Sequence, residues 1–304
     1  MELGVALPTS RPYTSPEAIV RVAQHAESLG YGAVWTYERL LYALGDIEQP
    51  GGPPRPLPKS YVSTYEPIET LSYVAAKTEQ IRLGTSVVNA PFHVPVVLAR
   101  RFATLDRFSG GRAIAGLGQG WMEQEFQTAN ASRKLRGEGV GEFIAAMRAA
   151  WGPDPVSFEG RHYRIPASKI NPKPQQEGGI PILLGSLAPS AIERAARVAD
   201  GLNPIGFSFE QLRGVVGSLR SAAEAHGRDP SRLMVVVRAN VPLTADPIPD
   251  GRRPFLGGSA AQVAKDLESL EPLGLDHVLF ADVASPSLDE SLERLEALRA
   301  AYPS

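Results

Sequence analysis

The sequence predicts an α/β fold, a single (β/α)8 barrel of the TIM type with insertions. Short apolar and β-branched runs alternate along the chain with longer segments in which apolar residues recur every three or four positions. The length of 304 residues suits one such barrel, and 43% hydrophobic residues can fill a large core. We therefore expect one domain over residues 1–304. A doubly wound open sheet with helices on both faces is the alternative.

Eight segments have the composition of buried strands, and a helical pattern follows each of them. Capping residues mark the helices; for example, Ser15 precedes Pro16 at the start of the first helix, and Gly30 ends it. The predicted strands cover residues 3–7, 33–36, 81–88, 112–117, 180–184, 201–204, 233–241 and 277–280. The predicted helices cover residues 16–29, 67–78, 94–108, 189–198, 209–226, 260–273 and 288–298, with a broken helical region over 122–151.

The most informative stretch is residues 81–121, which has the pattern strand, loop, helix, turn, strand and glycine-rich loop. Pro95 starts the helix, whose apolar face includes Val97, Leu98 and Phe102. Two glycines after Ser109 end it. The unit is β-α-β with parallel strands, so functional residues are expected at the carboxyl ends of the strands, in 86–93 and 118–121.

Composition excludes several classes of function. The formal net charge is −2, from 31 basic and 33 acidic residues that are well mixed, which argues against nucleic acid or an anionic membrane as a partner. There is no cysteine, so redox chemistry needs a borrowed cofactor. The histidines lack metal-ligand spacing, and we expect no metal. The first strand starts near the amino terminus, and no apolar run could cross a bilayer, so we expect a cytoplasmic protein.

Two segments depart from the barrel pattern. Residues 41–65 contain the run GGPPRPLP, which cannot form a helix or an inner strand. A loop of this length is usually a functional lid or else disordered, and we expect a lid without regular structure that covers the pocket. Residues 122–179 are expected to leave the barrel, with a small hairpin at 156–163.

The glycine-rich loop after the fourth strand is a candidate cofactor site. Gly116, Gly118 and Gly120 do not match the dinucleotide motif GxGxxG, because the third glycine comes one residue early. There is no Walker lysine, and no GxSxG motif supports a serine hydrolase. A plain tight turn between strand and helix is the alternative.

A second candidate site follows the fifth strand. Gly185 and Ser186 lie just before a helix that starts at Pro189, and the free N–H groups of a helix start bind anions. Residues 203–206, from Asn203 to Gly206, end the sixth strand and are expected to form a second wall. A simple turn is again the alternative.

These motifs together resemble the bacterial luciferase-like monooxygenase superfamily, and within it the branch that uses the deazaflavin coenzyme F420. The resemblance rests on LGTSV, LAR, ATLDRFSGGR and GLGQGW in combination, and it runs from residue 5 to about 201 and more weakly to the end. It implies a homodimer that pairs through helices beside the early strands. Val96 and Phe108, outside the predicted inner face of the third helix, are weak independent support.

The resemblance also implies positions for the cofactor. The Ser86–Val87 peptide bond is expected to be cis and to bulge against the back of the ring. Gly118, Gln119 and Gly120 would run beside the cofactor, and Trp121 would face the substrate. Gly185 and Ser186 would hold the cofactor phosphate.

One pair departs from the family pattern. Many relatives carry Asp-His where this chain has Glu38 and Arg39. Imidazole exchanges a proton near neutral pH, whereas guanidinium stays charged. Glu38 or Tyr37 is thus the better proton donor or acceptor, and Arg39 would orient a carboxylate or a ring carbonyl; a salt bridge at the barrel mouth is the alternative. His93 either contacts the substrate or is an ordinary loop histidine.

The expected function is that of an F420-dependent oxidoreductase, which transfers a hydride between the deazaflavin C5 and a small organic substrate. The first alternative is an FMN-dependent monooxygenase that uses reduced flavin and O₂. The second is a barrel that binds flavin without turnover. The substrate and the direction of transfer stay open.

Overall fold

The fold is a closed barrel of eight parallel strands. The computed structural model describes residues 1–206 and 208–303. Each strand pairs with the next along the chain, and the last pairs with the first, for example Gly4 with Leu279. The barrel prediction is therefore confirmed, and the open sheet is wrong. The strands are β1 (Glu2–Ala6), β2 (Ala33–Thr36), β3 (Arg82–Thr85), β4 (Ala113–Gly118), β5 (Ile182–Leu184), β6 (Gly201–Leu202), β7 (Met234–Ala239) and β8 (His277–Phe280).

Eight helices surround the barrel, one after each of its strands. The predicted cap of the first helix is present, since the Ser15 hydroxyl accepts from the Ala18 N–H at 3.0 Å. The helices are α1 (Pro16–Ser28), α2 (Pro67–Ala75), α3 (Pro95–Phe108), α4 (Glu138–Trp151), α5 (Pro189–Val198), α6 (Phe209–Ala225), α7 (Ala260–Leu270) and α8 (Leu288–Ala301). Short 3-10 turns cover Lys59–Val62, Ala90–Phe92, Arg133–Leu135, Pro230–Arg232, Asp250–Arg252 and Glu271–Leu273.

The orientation of α3 differs from the prediction by one position. Val97 is exposed rather than inward, and Val96 is partly buried rather than exposed. The predicted inner residues Leu98 and Phe102 do face the core, together with Ala99, and they set the rotation of the helix. Val97 lies next to the inner face in sequence but about 100° away from Leu98 around the helix axis.

Trp35 fills the inside of the barrel. It is fully buried, and the residues packed with it are Ala33 of its own strand and, from four other strands, Ile114, Leu183, Val236 and Leu279. The neighbouring strands carry glycine where the indole lies: a Cβ at Gly84 would come within 2.2 Å of the ring, and one at Gly4 within 2.7 Å of its nitrogen. The bottom of the barrel is thus a packed core, which leaves the mouth for function.

The segment 41–65 is more regular than its composition suggested. Ile47–Gln49 and Gly52–Arg55 form a short antiparallel hairpin, so the expectation of no regular structure was wrong. Gly51 takes a positive φ of 73° in the turn, and the prolines of the second strand lie at an exposed edge where no N–H is needed. Leu57 and Ile47 are buried against Met122, which anchors the hairpin beside the barrel mouth.

The segment 122–179 leaves the barrel only in part. It contains a short helix (Glu123–Thr128) and an antiparallel hairpin of Val156–Glu159 and Arg164–Ser168, which extends past the predicted 156–163. However, α4 lies in the same segment and packs against α3 and α5, so it is a crossover helix of the barrel itself. Two small additions complete the fold: Val88–Asn89 beside β4, and Leu243–Thr244 paired with Gly258–Ser259.

Candidate active site at the barrel mouth

The loop after β3 lies at the centre of the mouth. The Ser86–Val87 peptide bond is cis, as the resemblance implied. The Ser86 N–H donates to the Thr36 carbonyl at 2.7 Å, and its hydroxyl hydrogen-bonds Asn203 Oδ1 at 2.6 Å. The Asn203 amide in turn donates to the Val236 carbonyl at 2.6 Å. The fold thus joins two predicted cofactor residues, Ser86 and Asn203, across the barrel.

Two predicted glycines serve the packing of Val87. A Cβ at Gly118 would lie 2.5 Å from Val87 Cγ2, and one at Gly185 would lie 2.8 Å from Val87 Cγ1. Their missing side chains therefore make room for Val87, whereas the resemblance implied that Gly118 runs beside the cofactor and that Gly185 holds its phosphate. Val87 remains partly exposed between the two backbones. The exposed part of Val87 therefore forms a small apolar surface at the mouth.

Glu38 and His93 form a pair beside Val87. His93 Nε2 lies 2.5 Å from Glu38 Oε1, and the Asn89 N–H donates to Glu38 Oε2 at 2.8 Å. The Glu38 backbone N–H donates to the Val87 carbonyl at 3.0 Å, which holds the backbone of Glu38 against the bulge. The Glu38 side chain is 2% exposed and that of His93 is 15% exposed. The sequence identified both residues but not the pairing.

Arg39 points to the other side of the same loop. It forms a salt bridge with Glu125 at 2.8 Å, and both side chains are nearly inaccessible, at 8% and 1% exposed. Its guanidinium carbon lies 4.8 Å from the ring centre of Tyr61 and 5.4 Å from that of Trp121. Burial raises the pKa of Glu125, and the charge of Arg39 opposes that rise. Glu125 was missed, because nothing in the sequence relates it to position 39.

The glycine-rich loop after β4 is held by polar contacts. The Gln119 side-chain oxygen accepts from the Gly137 N–H at 3.1 Å, where α4 begins. Gly120 has a positive φ of 68°, and its N–H donates to Asn89 Oδ1 at 3.0 Å. The Gln119 side chain therefore supports α4, and only the backbone of the loop is left to line the mouth.

The turn after β5 leads to an open helix start. The Ser186 hydroxyl accepts from the Ala188 N–H at 3.2 Å, and α5 has no side-chain cap on its first turn. On this first turn Pro189 has no N–H and the Ala191 N–H already donates to the Ala188 carbonyl at 2.9 Å, which leaves the Ser190 N–H and the helix dipole to favour an anion. Gly206 is different: a Cβ there would lie 2.8 Å from Val237, so this glycine packs against β7.

Tyr37 lies between two loops of the mouth. Its hydroxyl is 2.5 Å from the Ser10 hydroxyl, and its ring centre is 5.9 Å from that of Tyr61. The Arg238 guanidinium carbon lies 5.4 Å from the ring. Burial raises the pKa of Tyr37, so its phenol stays protonated at neutral pH.

The mouth fits a flavin-type cofactor. It offers a small apolar surface at Val87, polar atoms of Glu38 and His93 at one edge, and the uncapped start of α5 for a phosphate. In the described part of the chain, no group of three or more histidine or acidic side chains could hold a metal ion. Two clefts of about 390 and 360 Å³ lie elsewhere, beside Arg294 and beside Trp151, so the large pocket expected at the mouth stays a prediction.

Comparison with known proteins assigns the fold to a family. The profile described as luciferase-like monooxygenase matches residues 1–248. The chain belongs to the luciferase-like monooxygenase family. Its family relatives include both F420-dependent oxidoreductases and FMN-dependent monooxygenases. Among solved structures, monooxygenase RslO1 from Streptomyces bottropensis superposes with a TM-score of 0.81 at 22% identity, covering 99% of this chain and 98% of that one. At this identity the likeness supports the fold.

Two relatives in this family use different cofactors. The FMNH(2)-dependent dimethylsulfone monooxygenase of Pseudomonas putida is 32% identical over 165 residues, which are 52% of this chain and 44% of that protein. The F420-dependent glucose-6-phosphate dehydrogenase of Nocardia farcinica is 36% identical over 136 residues, 43% of this chain and 40% of that protein. The chain thus matches less than half the length of each.

Across residues 1–206 and 208–303, no helix is both long and apolar enough to cross a membrane.

Proposed function

We propose that this member of the luciferase-like family is an F420-dependent oxidoreductase acting on a small organic substrate. The observation that carries the proposal is the Glu38–His93 pair. The backbone N–H of Glu38 donates to the Val87 carbonyl, beside the apolar surface between Gly118 and Gly185. Hydride transfer to or from an oxygen-bearing carbon needs a proton to move at the oxygen, and a carboxylate–imidazole pair performs such transfers near neutral pH.

Each residue of the mouth has a part in this proposal. The deazaflavin would supply the carbon that gives or takes the hydride, C5. Val87 and the backbone of residues 118–120 would support the ring, and Gly185, Ser186 and the start of α5 would bind its phosphate. His93 would exchange a proton with the substrate at Nδ1, while Glu38 holds Nε2. Arg39 would keep Trp121 and Tyr61 in place over the substrate, as its two ring contacts suggest.

The main alternative is an FMN-dependent monooxygenase, which the Pseudomonas putida relative favours. A non-catalytic flavin-binding barrel is the second alternative. Titration of the protein with F420, FMN and NADPH, followed by absorbance or fluorescence, distinguishes them. We expect F420 to bind at least tenfold more tightly than FMN, and reduced FMN with O₂ to yield no turnover. Preferential binding of FMN would overturn the proposal.

Two further properties belong to the proposal. The exposed apolar side chains of Val94, Val97 and Phe108 on or beside α3 support a homodimer through this helix. We also propose a small-molecule substrate and a cytoplasmic location, with neither nucleic acid nor a membrane as a partner. The balanced charge of the chain agrees with this part of the proposal.

A further inference from the structure

Arg238 ties three loops of the barrel mouth together. It lies near the end of β7, and its side chain reaches across the barrel, where Nη1 donates to the Ser86 carbonyl. Its Nε donates to Asn240 Oδ1 at 2.8 Å, and its guanidinium carbon lies 5.4 Å from the Tyr37 ring centre. This arginine therefore lies at the loop that carries the proposed cofactor site.

The positive charge of Arg238 has no counter-charge. Among the described residues, no carboxylate lies within 4 Å of its guanidinium, and Nη2 donates to no acceptor. Tyr37 cannot compensate, because its raised pKa keeps the phenol neutral. The charged neighbour is Arg11, in the loop after β1, which adds to the positive potential. Burial is the main cause that lowers the pKa of Arg238, and the charge of Arg11 acts in the same direction.

A structural arginine of the same chain looks different. Arg112 also lies among backbone carbonyls, but it uses Nε, Nη1 and Nη2 on five acceptors, among them the carbonyls at the end of α2. Its donors are satisfied by the protein alone. Arg238 satisfies two of its three nitrogens and leaves the third open at the mouth. Arg238 is only partly exposed, and its open N–H donors are at the mouth, where an anionic ligand can reach them.

We propose that Arg238, assisted by Arg11, binds an oxyanion of the substrate, either a carboxylate or a phosphate group. The planar guanidinium offers N–H donors that match both groups. This inference rests on the proposed function only in naming the anion as part of the substrate. Anion binding itself can be measured on the free protein, because it needs no cofactor. The start of α5 stays with the cofactor phosphate in the proposed function.

The test measures anion binding by the protein without cofactor. Inorganic phosphate and acetate are titrated separately at constant ionic strength, with the unfolding temperature and tryptophan fluorescence as readouts. We expect a saturable response to one of the two anions in the wild type, and a loss of at least tenfold in affinity in Arg238→Met. Arg238→Lys keeps the charge and should lose less. Arg228→Met is the matched control, because Arg228 donates to two backbone carbonyls away from the mouth and should leave anion binding unchanged.

The outcomes separate the possible sources of the anion. A response to phosphate alone or to acetate alone identifies the acidic group of the substrate. Equal anion affinity in wild type and Arg238→Met would overturn the proposal, as would a tenfold loss of F420 affinity in that variant, which would assign the anion to the cofactor. If the wild type binds the anion but not F420, the anion site stands and the proposed cofactor fails.

Discussion

His93 Nε2 lies 2.5 Å from Glu38 Oε1, and the two residues are 55 positions apart in the chain. The glutamate lies at the start of the loop after β2, and the histidine follows β3. Glu38 also accepts a hydrogen bond from the Asn89 N–H through its other carboxylate oxygen, and this bond fixes the carboxylate from the other side. The imidazole is thereby oriented with Nδ1 left to other partners, as a proton-transfer group requires.

The first prediction concerns this pair. Glu38→Gln and His93→Gln should each lower kcat with F420 by ~100-fold or more, because general acid–base groups contribute about that factor. The Kd of F420 should change by less than about threefold. Steady-state kinetics and a cofactor titration measure the two effects. His226→Gln is the control, since His226 forms a similar pair with Glu193 at 2.6 Å on the surface. A His93 variant with full activity would exclude the pair from the mechanism.

The second prediction concerns the lid, residues 41–65. Deletion of residues 50–58, or Leu57→Asp in its buried contact with Met122, should raise KM for the substrate about tenfold or more. Cofactor affinity should survive, because the lid packs beside Trp121 and away from α5. Leu44→Asp is the control in the same segment, since Leu44 is 86% exposed. Equal loss of substrate and cofactor binding would contradict the lid role.

The third prediction concerns the cofactor phosphate. Ser186→Asp places a carboxylate at the uncapped start of α5, where it would repel the phosphate at close range. We expect at least a tenfold weaker Kd for F420, which corresponds to ~1.4 kcal/mol. Ser218→Asp adds the same charge on the exposed face of α6 and should have no effect. Unchanged affinity in Ser186→Asp would place the phosphate elsewhere.

The fourth prediction concerns the homodimer. Val97 and Phe108 are 53% and 68% exposed on α3, and burying such side chains favours association. We expect the wild type to sediment as a dimer at micromolar concentration and Val97→Asp with Phe108→Asp to sediment as a monomer. Val283→Asp is the control, because Val283 is also 53% exposed but lies after β8. A monomeric wild type would refute the dimer.

The fifth prediction concerns stability in acid. Burial, and then the charge of Arg82, lowers the pKa of His277 from its ordinary 6.5 to about 4. Glu2 lies 3.2 Å away but is 61% exposed, so burial outweighs it. Between pH 4 and 6.5 the folded state therefore binds fewer protons at His277 than the unfolded state does. The stability that the neutral His277 contributes is present in full above pH 6.5 and is lost as the pH falls toward 4.

The shift of the His277 pKa corresponds to about 3 kcal/mol in the free energy of unfolding, at ~1.4 kcal/mol for each pH unit. Urea unfolding at pH 7 and pH 4 should show a smaller acid loss in His277→Phe than in the wild type. His226→Gln, which changes an exposed histidine, should lose as much stability between pH 7 and pH 4 as the wild type does. An identical pH dependence in His277→Phe would exclude a neutral buried imidazole.

The sequence by itself determined the barrel and predicted the end of it at which the candidate site lies. Helical and strand periodicities are local properties, so eight alternating segments were enough to predict the order of strands and the parallel arrangement. The same local signals placed the candidate residues at the carboxyl ends of the strands. The one-position error on α3 arose because Val96, Val97 and Leu98 are all apolar, and only packing selects which of them faces the core.

The tertiary structure alone decided which residues meet. Glu38 pairs with His93, Arg39 with Glu125 and Arg238 with the Ser86 carbonyl, over separations of 55, 86 and 152 residues. Glu38 and Arg39 are adjacent in sequence, yet one binds an imidazole and the other a carboxylate, because neighbouring residues after a strand point in different directions. Such contacts depend on closure of the barrel, which brings strand ends together that no local pattern relates.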